Sequence, residues 1–134
     1  MKLTFFWEIT PPDAVAFCSS DSLVSNGVSP LASILMDDGG IDLETSSQWI
    51  KEGIARASAI IAGSQASSNW SREAWGAELQ SQKTIVYSLY DETCKETIST
   101  EDFLNTLSKW LDFVSAGPIS SVVELNLSNQ GSTT

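Results

Sequence analysis

Apolar positions along the chain change their period several times, and each change marks an element. Leu3 to Ile9 is rich in aromatic and β-preferring residues and stops at Pro11-Pro12, which cannot continue a ladder, so it reads as an opening strand. Residues 13–41 carry Val15, Phe17, Val24, Val28, Leu31, Ile34, Leu35 and Met36 without a clear period, broken by Asn26-Gly27 and Pro30. Within that stretch, residues 31–36 fit either a short helix or a buried strand. A helical period sets in after the loop Asp37-Asp38-Gly39-Gly40. Ile50, Ile54, Ala57 and Ile61 fall at helical spacing, Thr45 with Gln48 fits a capping box, and Gly63 suits a left-handed stop. The pattern predicts a helix from about Ser46 to Ala62, weakened locally by Gly53.

Ser64 to Ser68 is small and polar and reads as a connector. Beyond it the period drops to two. Trp75, Ala77 and Leu79 share one strand face, Gln80 to Lys83 can turn the chain, and Thr84 to Tyr90 returns as a second strand. Lys95 to Ile98 follows as a short third strand. Ser99 is placed as a helix N-cap, with Asp102 near the positive helix end and Ile98 able to staple against Phe103. Phe103, Leu107, Trp110 and Val114 then form an apolar stripe that Gly117-Pro118 ends. Ile119 to Leu127 reads as a final strand and residues 128–134 as a flexible polar tail. The expected fold is α+β, an antiparallel sheet of about four to five strands packed against two main helices, in one domain over residues 1–127.

Composition agrees with one domain: 134 residues at 42% hydrophobic content suffice for a single core. Charge narrows the partners. Seven Lys and Arg stand against 17 Asp and Glu, a formal net charge of -10, which opposes docking to nucleic acid phosphates or anionic lipid. A basic partner is favoured, although the same charge also serves plain solubility. Glu8 interrupts the first apolar run too early for an export signal, and no run approaches the ~18 apolar residues needed to cross a bilayer. The expectation is a soluble cytoplasmic protein whose two cysteines, Cys18 and Cys94, are reduced thiols.

Candidate chemistry is thin. The sequence has no His, which removes the commonest general base and the commonest metal ligand together. Cys18 and Cys94 lack metal-ligand spacing. Asp37, Asp38, Asp42 and Glu44 form the densest acidic cluster, but the EF-hand pattern is missing, and Gly39-Gly40 completes no phosphate-binding fingerprint. Neither metal nor cofactor is expected. Asp91 and Glu92 are adjacent in a loop, where a solvated turn competes with a role in acid-base chemistry. Trp49, Trp75 and Trp110 sit in amphipathic elements and read as core.

One segment carries a resemblance. Trp70-Ser71-Arg72-Glu73-Ala74-Trp75-Gly76-Ala77-Glu78-Leu79, then Ile85 to Glu92, then Ile98-Ser99 through Phe103 and Trp110, resembles immunity proteins of bacterial contact-dependent growth inhibition and related polymorphic toxin systems. The likeness covers residues 70–114, about a third of the chain, and residues 1–69 add nothing to it. It implies a small cytoplasmic, non-enzymatic protein that binds a cognate toxin domain, many of which are basic nucleases, and it transfers no contact residue by position. For contacts the acidic residues themselves are the candidates: Asp37, Asp38, Asp42 and Glu44 first, Asp91 and Glu92 second. A carboxylate-dependent enzyme using Asp91 or Glu92, and an acidic mimic of nucleic acid, are the alternatives.

Overall fold

The computed structural model describes residues 1–24, 26–38, 42–118 and 121–127. The fold is α+β, with two antiparallel sheets where one was expected. Sheet A has the order β2-β1-β7, from β1 (Lys2–Thr10), β2 (Asp13–Ser20) and β7 (Val123–Asn126). Sheet B runs β3-β4-β5-β6, from β3 (Ser67–Ser71), β4 (Trp75–Gln80), β5 (Lys83–Ser88) and β6 (Lys95–Ser99). Three helices complete it: α1 (Pro30–Met36), α2 (Leu43–Ile61) and α3 (Thr100–Ala116).

The opening strand ends at Pro11-Pro12, as expected, and the chain returns directly as β2, with Thr10 opposite Asp13 and Phe5 opposite Cys18. The final strand is shorter than the expected 119–127, and the tail at 128–134 lies outside the described residues. Residues 31–36 are helical. Pro30 occupies the first turn, where a missing N–H costs nothing, and the Ser29 hydroxyl accepts from Ala32 N at 3.1 Å. Pro30, Leu31, Ala32, Ile34 and Leu35 are all buried because α1 is wedged between the sheets, against β2 on one side and β4, β5 and β6 on the other. An element covered on two sides shows no amphipathic period.

Helix α2 begins three residues before the expected start. Asp42, not Thr45, is its N-cap, accepting from Thr45 N at 3.2 Å and from the Thr45 hydroxyl at 2.7 Å. Gly63, at φ 83°, follows the helix in the left-handed region, where a side chain would be strained. Helix α3 starts as read: the Ser99 hydroxyl accepts from Asp102 N at 3.0 Å. Thr100 anchors it to sheet B, donating to Gln80 O at 2.6 Å and meeting the Thr84 hydroxyl at 2.9 Å.

One cluster of buried side chains runs through all these layers. Phe5 of sheet A meets Trp110 edge-on at 5.1 Å and Phe113 at 5.7 Å, while Trp70 of sheet B packs on Phe103. Gly53 explains itself here. A Cβ at this position would sit 2.9 Å from the Trp70 ring and 3.1 Å from Leu107, so the glycine lets α2 approach sheet B and α3. Both cysteines are free and buried, and burial pushes the Cys18 thiol up from 9.0 to about 12, so it stays protonated at neutral pH.

Glu96 is the one partly buried carboxylate that β6 turns toward α1. Its two oxygens accept from Leu31 N at 3.2 Å and from the Ser22 hydroxyl at 3.4 Å, and burial raises its pKa above the ordinary 4.5 despite those bonds.

Two outcomes test this packing. Gly53→Ala should cost about 1–3 kcal/mol by overpacking, measured as a lower urea midpoint, whereas the same change in an open helix gains about 1 kcal/mol. A carboxyl with a raised folded-state pKa binds its proton more tightly when folded, so the stability it contributes at low pH is lost as pH rises from the ordinary value through the raised one. The stability of Glu96→Gln relative to the wild type should therefore rise across that window and stay level above it. A pH-independent difference between the two unfolding free energies would refute the assignment.

Candidate functional site

Sheet register and one side-chain bond bring Asp37, Asp91 and Glu92 toward one end of sheet B. Trp75 pairs with Ser88, and Leu89 N donates to Ala74 O at 2.9 Å, so the β3-β4 turn and the β5-β6 connection emerge on the same side. The first carries Arg72, Glu73 and Ala74; the second carries Tyr90, Asp91 and Glu92. The C-terminal end of α1 reaches this edge through Asp37.

The centre of the arrangement is Arg72, a residue to which sequence reasoning assigned no role. It is buried, and one guanidinium nitrogen donates to Ile34 O at 3.0 Å and Leu35 O at 3.1 Å, carbonyls at the end of α1 that lack helical partners. The other terminal nitrogen donates to the Ser46 hydroxyl in α2 at 2.8 Å. Its Cζ lies over the rings of both Trp49 and Trp70, 5.6 and 5.8 Å from their centroids. Burial lowers the guanidinium from its ordinary 12.5 to about 10, against the opposing charges of Asp37 and Asp38, so it remains a cation at neutral pH. Among the described residues, its Nε has no hydrogen-bond partner.

The predicted acids divide by task. Asp37 Oδ2 accepts from Ala74 N at 2.7 Å and Trp75 N at 2.9 Å, which fastens the end of α1 to the β3-β4 turn. Asp38 is exposed and acts on Arg72 through its charge. Asp42 is committed to the α2 cap, and its bonds with Thr45 hold its carboxyl below the ordinary 3.8. Glu44 is exposed in the first turn of α2, where a negative charge also suits the helix dipole. Asp91 Oδ1 accepts from Thr93 N at 3.1 Å and the Thr93 hydroxyl at 2.6 Å, a closed turn that lowers its carboxyl as well. Glu92 is exposed. Asp37 is thus a fastener, Asp42 and Asp91 are exposed local caps, Asp38 offsets Arg72 from an exposed position, and Glu44 and Glu92 are exposed.

Beside these acids stand exposed apolar groups, Tyr90 at 81% and Leu89 at 40%. The three tryptophans read as core also separate. Trp110 is buried, while Trp49 and Trp75 are half-buried, and Trp70 is the most enclosed indole of sheet B. Among the described residues no group of three or more His, Cys, Asp or Glu is placed to hold a metal ion, and no helix is long and apolar enough to cross a membrane. What the edge offers is negative charge, one exposed phenol and a rigid frame.

Replacing Arg72 tests the frame. Arg72→Met keeps bulk and removes every donor, and it should cost about 3 kcal/mol through orphaned carbonyls and lost ring contacts. Arg72→Lys should recover only part of that loss, because an ammonium cannot span the α1 carbonyls and Ser46 while lying over two rings. Equal denaturation midpoints for the lysine variant and the wild type would show that charge alone matters.

No family model, curated protein or solved structure matches the chain.

Proposed function

We propose that this chain is an immunity protein, which binds a cognate basic toxin domain and neutralises it by occupying its surface. The observation that carries the reading is the placement of the exposed Glu73, Asp91 and Glu92 with the exposed Tyr90 at one edge of sheet B, in a chain with net charge -10 and no His. Tyrosine supplies contact area at low entropic cost, and negative charge steers a basic partner into encounter. The resemblance of residues 70–114 to immunity proteins of contact-dependent growth inhibition systems points the same way. A cytoplasmic location follows from this reading, since such inhibitors meet their toxins after delivery.

The competing reading is a carboxylate-dependent enzyme built on Asp91 and Glu92. A general acid or base near neutrality needs a carboxyl pushed up, and Asp91 is pushed down by its bonds to Thr93. Glu96, which is pushed up, is engaged with Leu31 and Ser22. These features weigh toward binding.

Coexpression with the cognate toxin domain should rescue growth, and the purified pair should associate at low salt; no association there would end the proposal. Reversing two solvent-facing acids, Glu44→Lys with Glu92→Lys, should slow association about tenfold at low ionic strength and far less at high salt. An on-rate that is unchanged at low salt would remove steering from the account.

A further inference from the structure

Sheet A and the helices enclose a cleft of about 380 Å³ that none of the acids' structural tasks explains. Its walls include Trp7 and Ala16 from the β1-β2 hairpin, Leu35 and Met36 from α1, Leu43 from α2 and Trp110 from α3. The hairpin accounts for it: Leu3 and Phe5 are fully buried, but the strand continues to Thr10 and carries Trp7 and Ile9 past the core. Three of the large apolar side chains most open to solvent stand on the same hairpin and helix start, Ile9 at 57%, Val15 at 49% and Leu43 at 52%. Polar atoms also line the cleft, from Asp38, Ser46 and Ser47.

Charge around the cleft has one sign at its exposed segments. Asp38 is the charged lining residue, and Asp42 and Glu44 flank Leu43. Lys51 and Lys109 adjoin lining residues of α2 and α3 but lie on exposed helix positions. A small apolar ligand would leave these acids unused, and an acidic protein would be repelled by them.

We propose that this cleft receives a single large apolar side chain, aromatic or long aliphatic, projecting from a basic surface of the partner protein. The inference rests on the reading of the chain as an inhibitor of a basic protein and names where the anchor of that complex sits. Aromatic anchors in desolvated pockets, ringed by polar groups, carry most of the energy in protein interfaces. Here Trp7, Met36 and Trp110 provide the pocket, and Asp38 and Glu44 provide a rim that pairs with lysines or arginines beside the anchor.

Three blocked pentapeptides test the chemistry without the natural partner: Lys-Lys-Phe-Lys-Lys, Lys-Lys-Gly-Lys-Lys and Glu-Glu-Phe-Glu-Glu. The first should shift the indole N–H resonances of Trp7 and Trp110 saturably while leaving Trp70 in place, and the other two should not. Leu43→Lys, at an exposed position, should abolish the shift and weaken the complex with the cognate toxin domain about tenfold or more. Equal shifts from the glycine peptide, or none from the phenylalanine peptide, would overturn the proposal. So would a wild-type dimer in sedimentation equilibrium that Leu43→Lys dissociates, because the occupant would then be a second copy. If the toxin domain binds wild type and Leu43→Lys equally, the cleft is not the anchor site although the inhibitor reading stands. If the peptides behave as expected but the toxin domain does not bind at all, the inhibitor reading fails and the cleft's preference remains.

Discussion

The bond set of Arg72 is the interaction on which the rest of the molecule depends. A seven-residue helix cannot hold itself together in water, because most of its backbone groups are terminal and lack helical partners. Helix α1 is nevertheless the wedge between the two sheets, so its ends must be satisfied from outside. Ser29 and Glu96 take up N–H groups at one end, and Arg72 takes up carbonyls at the other. Asp37 then closes the same end onto the β3-β4 turn. The charge on Arg72 is tolerated in the interior because two indoles cover it and two carboxylates offset it.

This arrangement recasts the acidity of the chain. Part of the negative charge has structural work near home, in capping α2, closing a loop and balancing one buried cation. The remainder faces solvent and is available to a partner. The division explains why a cluster that is continuous in sequence from Asp37 to Glu44 is discontinuous in role.

Legibility from sequence followed the range of the interactions. The start of α3 was readable because Ser99, Asp102 and Phe103 settle it among themselves, and β4 and β5 because their alternation is clean. Asp42 was missed as a cap because Thr45 with Gln48 offered the more familiar spacing. Residues 13–20 hid a strand, since Asp13, Ala14 and Val15 are all exposed at the hairpin end and give no inward period. Helix α1 hid for the opposite reason, being apolar on both sides. Arg72 could not have been read at all: its partners lie 26 to 38 residues away, and only the fold brings them together.

The two sheets are attached to the helices with different proportions of directional bonds and ring contacts. Sheet B is tied to α1 and α3 through directional bonds from Arg72, Ala74, Trp75, Glu96 and Thr100. Sheet A leans on α3 through ring contacts, Phe5 and Trp7 against Trp110 and Phe113, and reaches α1 through Cys18 N, which donates to Met36 Sδ at 3.3 Å. Directional bonds fix an orientation, whereas ring contacts tolerate tilt. The hairpin of sheet A is therefore the softer wall of the cleft, and the helices, held to sheet B by directional bonds, are the fixed one, so adjustment to an incoming shape would fall on β1 and β2.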